Sequence, residues 1–244
     1  TKVCPKSSPL FQEFKIWQSM EAPNWKVLKE FLRLGIPAAL SVLVEVTSFT
    51  MMALFISRQG MVASASHQIA TSIATLLYMV PLALGIACSA RVGFWIGANE
   101  YGHAEKAART GLKLTLLLAL VLSSALAFGK DGLASLFSSD LVVTMAAASV
   151  LGWVALFHLV DAIQAVCAFV LRCYKITLLP LIIYSIMLWG VGLWGANVWA
   201  YHGLGPFNSR PEVSTFWAAG SFALSIVSLA FVALVLWAAK QRRT

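Results

Sequence analysis

Glu45 and Asp161 each stand inside a long apolar run, and no other full charge interrupts those runs. An ionised carboxylate at the centre of a bilayer costs at least about 2.5 kcal/mol on insertion scales, so each acid must face a cavity, pair with a cation or carry a proton. All three options amount to handling a cation, which makes Glu45 and Asp161 a candidate cation site, a metal site if the ion is Na⁺ and a protonation site if it is H⁺. Helical spacing puts Ser41, Ser48 and Phe49 on the face of Glu45, and Phe157, His158 and Gln164 on the face of Asp161. Between the two acids in the chain, Ser64, Gln68, Thr71 and Thr75 recur at helical spacing, with Tyr78 one turn on. Gln68, Thr71 and Tyr78 are therefore candidate substrate contacts, although hydroxyls and amides so placed also stitch membrane helices to one another. An imidazole titrates near neutrality, so His67 and His158 are both candidate proton relays; His158, one turn from Asp161, is the better placed, and hydration near a helix end is the alternative reading of His67.

Met51, Met52, Tyr78, Trp153, Phe157 and Tyr184 offer soft or aromatic surface on which a flat organic cation can rest. Arg91 and Arg172 fall at helix ends, where arginine snorkels to the interface and sets topology. The sequence contains no phosphate loop, metal-ligand cluster or nucleophile-base pair, so ATP hydrolysis and covalent catalysis have no handle and no cofactor is expected. An intramembrane enzyme built on Asp161 and His158 would lack a second acid or nucleophile on that helix face. Cys4, Cys88, Cys167 and Cys173 have no metal-ligand spacing, and three of them sit in or beside apolar runs, so no disulfide is expected.

The elements that must position these residues are transmembrane helices. Only 11% of the 244 residues are charged while 59% are hydrophobic, and the mean hydropathy is +0.80. A soluble domain carries about 25% charged residues, so the solvent of this chain is lipid. A bilayer core about 30 Å thick takes roughly 20 apolar residues per helix, and six such stretches occur: Leu34 to Ser57, Met61 to Ala90, Leu114 to Gly129, Leu141 to Leu171, Ile176 to Tyr201 and Val213 to Ala239. Trp25 to Arg33 reads as a basic amphipathic entry lying at the headgroups, with the first spanning helix starting near Gly35 and Pro37. Gly97 to Arg109 reads as a charged connector and the third helix as a short one. Pro81 and Gly85 mark the long second helix for a kink or tilt.

A net charge of +8 could point to nucleic acid, but its distribution points to topology instead. Fifteen of the 18 basic residues fall in the amino-terminal segment, the second and fourth loops with their helix ends, and the tail, which leaves Arg58, Lys130 and Arg210 for the other side. By the positive-inside rule both ends of this multi-pass chain are cytoplasmic, in the cell (inner) membrane, and no nucleic-acid partner is expected. The spans divide into two sets of three with one acid on the first helix of each, which is compatible with an inverted repeat.

Taken together, these residues resemble the multidrug and toxic compound extrusion (MATE) family, in particular its NorM-type branch. The resemblance rests on Gly35-x-Pro37 with Glu45 and Phe49, then Ser66-His67-Gln68-Ile69 and Pro81-x-x-x-Gly85. It continues through Arg91-Val92-Gly93-x-x-x-Gly97-Ala98, Asp161-Ala162-x-Gln164 and Leu171-Arg172-x-Tyr174-Lys175. It implies an all-α polytopic protein, one six-helix lobe (25–244) of a twelve-helix transporter, preceded by a cytoplasmic inter-lobe linker (1–24). The lobe would be the carboxy-terminal one, with the amino-terminal lobe of the same polypeptide as its partner. The function implied is exchange of inward-moving Na⁺ or H⁺ for outward-moving organic cations as the lobes rock, with Glu45 and Asp161 matching the family's cation-site acids. Phe157 stands where that pattern often has a tyrosine able to join the cation site, and Cys173 where glycine is usual. A six-helix half-transporter working as a homodimer is the alternative architecture.

Overall fold

The computed structural model describes residues 24–203 and 208–241, so the 1–24 linker reading falls, except for Asn24, outside the described residues. Six helices are long and apolar enough to cross a membrane: α1 (Trp25–Ser57), α2 (Met61–Gly97), α3 (Tyr101–Phe137), α4 (Leu141–Cys173), α5 (Leu178–His202) and α6 (Val213–Gln241). Helix α4 is the central post. Its buried residues occur all around it, from Ala147 through Val154, Asp161 and Gln164 to Leu171, and it packs against α2, α3 and α6. A helix apolar on every side has this fate in a bundle. Helix α1 is the opposite case, with only Pro37, Ser48 and Ile56 buried.

Three boundaries differ from the sequence reading. Helix α1 does not begin at Gly35 but at Trp25, where the Asn24 side chain accepts a hydrogen bond from the Lys26 amide at 3.0 Å. Its basic amphipathic entry is the first part of the spanning helix, and Pro37 lies well inside it. Likewise Gly97 to Arg109 is not a connector: Asn99, at a φ of 60°, turns the chain, and α3 starts at Tyr101. Glu105 and Arg109 then form an (i, i+4) ion pair at 2.6 Å. Helix α3 is therefore 37 residues long rather than short. In all three cases hydropathy marked where apolar residues stop, whereas helices continue into the polar zone as long as backbone hydrogen bonds can be made.

Helix α5 departs from regular α geometry. Ile186–Gly195 forms a π-helical segment between two α turns. Three glycines, Gly190, Gly192 and Gly195, punctuate it. At Gly192 the lack of a side chain matters, because an added Cβ would lie 3.4 Å from the Ala223 Cβ and 3.7 Å from the Gly220 Cα of α6. Helices α1 and α5 are tied together at two levels. The Trp189 Nε1–H donates to the Val44 carbonyl at 3.2 Å, and the Tyr201 hydroxyl donates to the Phe55 carbonyl at 2.8 Å.

The hydroxyls of the polar face of α2 do not stitch helices together. Those of Ser64, Thr71 and Thr75 donate to the carbonyls of Gly60, His67 and Thr71 within their own helix. In an apolar solvent that local partner is always within reach, so a hydroxyl need not find another helix.

Candidate functional site

Glu45 and Asp161 come from helices α1 and α4, and the fold brings their carboxyl groups within electrostatic reach of one another. Asp161 is buried and Glu45 is half-buried. The Tyr184 hydroxyl of α5 hydrogen-bonds Glu45. Among the described residues neither acid has an ion-pair partner. Two carboxylates within electrostatic reach of each other, neither with an ion-pair partner among the described residues, repel when both are ionised, and a mobile cation or a proton relieves that repulsion.

A cavity of about 130 Å³ opens beside Glu45. It is lined by Ser41 and Glu45 of α1, Tyr78 of α2, Gln164 and Arg172 of α4 and Tyr184 of α5, among others. At roughly 30 Å³ per water, it has room for a small cation with a few waters. It is well below the roughly 300–1,000 Å³ of a drug-sized pocket. The Ser41 hydroxyl is committed to the Pro37 carbonyl at 2.9 Å, which leaves the Glu45 carboxylate, the amide of Gln164, the hydroxyls of Tyr78, Tyr184 and Thr177 and the guanidinium of Arg172 as the polar groups at this cavity.

The residues placed on the same stripes by helical spacing are divided by the structure. Ser48, Phe49 and Phe157 line a second, smaller cavity of about 20 Å³, nearer the Arg58 turn, with Met52, Trp217 and Gly220 among its other walls. It is an aromatic cluster. Phe49 and Phe157 meet edge-on at 5.9 Å between centroids, Phe157 and Trp217 at 5.2 Å, and Phe49 and Trp217 at 6.0 Å. His67 borders it, buried and not hydrated as its place near a helix end had suggested: its Nδ1 accepts a hydrogen bond from the Trp217 indole at 3.3 Å. His158 points elsewhere, into a closed gap with Pro81 and Leu84 of α2 and Thr115 of α3 among its walls, and its Nε2 has no hydrogen-bond partner among the described residues. Gln68 is exposed, and Thr71 lines neither cavity while its hydroxyl is spent on its own helix.

Sequence reasoning undervalued two residues. Tyr184 was visible only as one aromatic among several, because its link to Glu45 crosses 139 positions of chain, a pairing that no local spacing reveals. Arg172 read as a snorkelling helix end, yet it lines the Glu45 cavity and its guanidinium lies 4.8 Å from the centre of the Phe169 ring. The one available signal was its position eleven residues, about three turns, beyond Asp161 on the same helix.

The chain was compared with known proteins. Residues 37–196 match the MatE family model. Over 221 residues the chain is 35% identical to a probable multidrug resistance protein NorM of Aromatoleum aromaticum, covering 91% of the chain and 48% of that protein. It is 37% identical over 166 residues to the multidrug resistance protein MdtK of Yersinia pseudotuberculosis, covering 68% of the chain and 36% of that protein. Among solved structures, a MATE protein in complex with MaL6 superposes with a TM-score of 0.82 at 15% identity, covering 96% of this chain and 52% of that one. The eukaryotic MATE transporter AtDTX14 superposes with a TM-score of 0.79 at 22% identity, covering 96% and 54%. The chain thus spans about half the length, or less, of these relatives. With the family model, the sequence relatives and the fold in agreement, this chain belongs to the MATE family.

Proposed function

We propose that this chain is the carboxy-terminal lobe of a multidrug efflux protein of the cell (inner) membrane. It exchanges inward-moving Na⁺ or H⁺ for outward-moving organic cations as the two lobes rock. The observation that carries the reading is the pair Glu45 and Asp161, within electrostatic reach of each other and without an ion-pair partner among the described residues, with Glu45 opening onto a small polar cavity. Loading the pair with a cation removes their mutual repulsion, and unloading restores it. Two lobe arrangements that differ in how closely α1 approaches α4 and α5 are then biased by the ion.

Size separates the roles of ion and drug. The Glu45 cavity holds an ion and a few waters, so the drug takes the larger space between this lobe and its partner, with the exposed side of Gln68 on α2 as one candidate wall. Tyr184 orients the Glu45 carboxylate, while Arg172 places a positive charge at the far end of the cavity and discourages the ion from leaving that way. The concentration of basic residues on one side supports a topology with both ends cytoplasmic.

The half-length match also fits a six-helix chain that pairs with a second copy, and the native mass of the protein, about 26.4 kDa or about twice that, separates the two architectures. The intramembrane-enzyme reading loses support because His158 faces an apolar gap instead of the Glu45 cavity. The test is efflux of a fluorescent organic cation from proteoliposomes of the full-length protein under a Na⁺ gradient or a pH gradient, imposed separately. One gradient should drive efflux, and Glu45→Gln and Asp161→Asn should each abolish it while the protein stays folded. Full gradient-driven efflux in both variants would refute the mechanism.

A further inference from the structure

At the Trp25 end of α1, separated from the Glu45 cavity by Ile176 and Thr177, which line both, a groove of about 650 Å³ runs between the first turns of α1 and the turn from α4 into α5. Its polar lining is Lys29 and Arg33 of α1 with Lys175 and Thr177 of the turn, and its apolar lining includes Leu32, Ile36, Leu178 and Leu179. All four apolar side chains are exposed. Lys175 pairs with Glu30, whereas Lys29 and Arg33, one helical turn apart, have no ion-pair partner among the described residues. Two cations outside any close ion pair therefore lie along the mouth of an apolar groove, with the single carboxylate near them, Glu30, engaged by Lys175 and within electrostatic reach of Arg33.

The depth of the groove follows from the length of α1. Its 33 residues extend about 50 Å at about 1.5 Å per residue, roughly 20 Å more than the hydrocarbon core. The excess falls at the end carrying Trp25, Lys26, Lys29, Glu30 and Arg33, where Trp25 is 78% exposed, as an interfacial anchor should be. Lys29, Arg33 and Lys175 accordingly sit at headgroup depth, and Ile36, Leu178 and Leu179 continue into the acyl region.

We infer that this groove binds an anionic phospholipid, its phosphodiester held by Lys29 and Arg33 and its acyl chains lying along Leu32, Ile36, Leu178 and Leu179. Basic pockets between helices on the positive side of a membrane recognise such headgroups. Charge disfavours the nearest competitor, the chain's own amino-terminal segment: residues 1–23 contain three lysines against two glutamates and so carry a net positive charge themselves. The lipid would bridge α1, the least buried helix, to the α4–α5 turn beside the pair Glu30 and Lys175, and so steady the helix that carries Glu45.

The experiment uses the full-length protein in detergent and compares phosphatidylglycerol with phosphatidylcholine of the same chains, reading lipid retention by native mass spectrometry and the thermal midpoint. Phosphatidylglycerol should be retained several-fold better and should raise the midpoint more, and Lys29→Gln with Arg33→Gln should remove both preferences. Lys29→Arg with Arg33→Lys, which keeps the charges, should keep them, as should Lys106→Gln with Arg109→Gln elsewhere on the basic side. Equal retention of the two lipids, or retention of phosphatidylglycerol unchanged in the neutralised protein, overturns the assignment. So does a disulfide cross-link between Cys4 and Leu32→Cys, a variant that keeps both cations, if it forms as readily with phosphatidylglycerol as without it. None of these readouts depends on transport, so the assignment can fail or stand independently of the antiport mechanism.

Discussion

The two cavities of this bundle lie along the same pair of helices, α1 and α4, and are built from opposite materials. The one nearer the Trp25 end has a carboxylate, two tyrosine hydroxyls, an amide and a guanidinium around about 130 Å³ of space. The one nearer the Arg58 turn has Phe49, Phe157, Phe216 and Trp217 packed around about 20 Å³. The difference teaches where rigidity and where chemistry reside. Polar groups without fixed partners need a mobile occupant and so stay open, whereas aromatic edges and faces satisfy one another and close. On the proposed function the acidic cavity is the working part, while the aromatic cluster packs α1, α4 and α6 against one another beside it.

Variants that strike only one cavity sharpen this contrast or break it. Neutralising either acid should give the largest functional effect, loss of gradient-driven efflux, with no drop in thermal midpoint, since an unpaired carboxylate in lipid costs at least about 2.5 kcal/mol and its removal does not weaken packing. Phe157→Ala should do the reverse: truncating a well-packed phenylalanine costs about 3–5 kcal/mol in soluble cores, so the thermal midpoint falls while ion dependence persists in the folded fraction. If Phe157→Ala abolished ion dependence at full stability, the division between the cavities would be wrong.

Gly85→Ala probes the support beneath the acidic cavity. A Cβ there would lie 2.5 Å from the Phe169 ring, on which Arg172 rests. Overpacking of this kind costs about 1–3 kcal/mol, and the expected outcome is a lower thermal midpoint, measured by scanning fluorimetry, together with weaker ion dependence. Tyr184→Phe is the mildest change. It removes one hydrogen bond to a carboxylate, worth about 1.5 kcal/mol or a tenfold change in affinity, so the ion concentration for half-maximal efflux should rise by up to about tenfold with the maximal rate retained. An unchanged concentration dependence would mean that Glu45 does not need Tyr184 to hold the ion.

Much of the fold was legible in the sequence because the lipid solvent imposes a simple rule. Every backbone polar group must be satisfied within the spanning segment, so apolar runs of sufficient length become helices. The end of α1 at Ser57 and the starts of α2, α4 and α6 were read to the residue from Arg58 to Gly60, Leu141 and Val213. Where polar residues extend a helix beyond the bilayer, as at Trp25 to Arg33 and at Tyr101 to Lys113, hydropathy stopped too soon. The π-helical segment in α5 left only its glycines as a trace, since its geometry answers to packing against Gly220 and Ala223 of α6.

At the site, the sequence by itself determined that Glu45 and Asp161 are the residues to explain, because an acid in an apolar run carries its energetic cost wherever the helix happens to lie. Which neighbours each acid has was decided only by the tertiary structure. Spacing assigned Ser48, Phe49, Phe157 and His158 to the acids, because residues three or four apart share a face of one helix. A helical face spans the whole membrane, however, and the rotation and depth at which α1, α2, α4 and α5 meet decide what shares a cavity. That is why Ser41, Tyr78, Gln164, Arg172 and Tyr184 gather around Glu45, why Phe49 and Phe157 close against Trp217 instead, and why His158 turns toward Pro81.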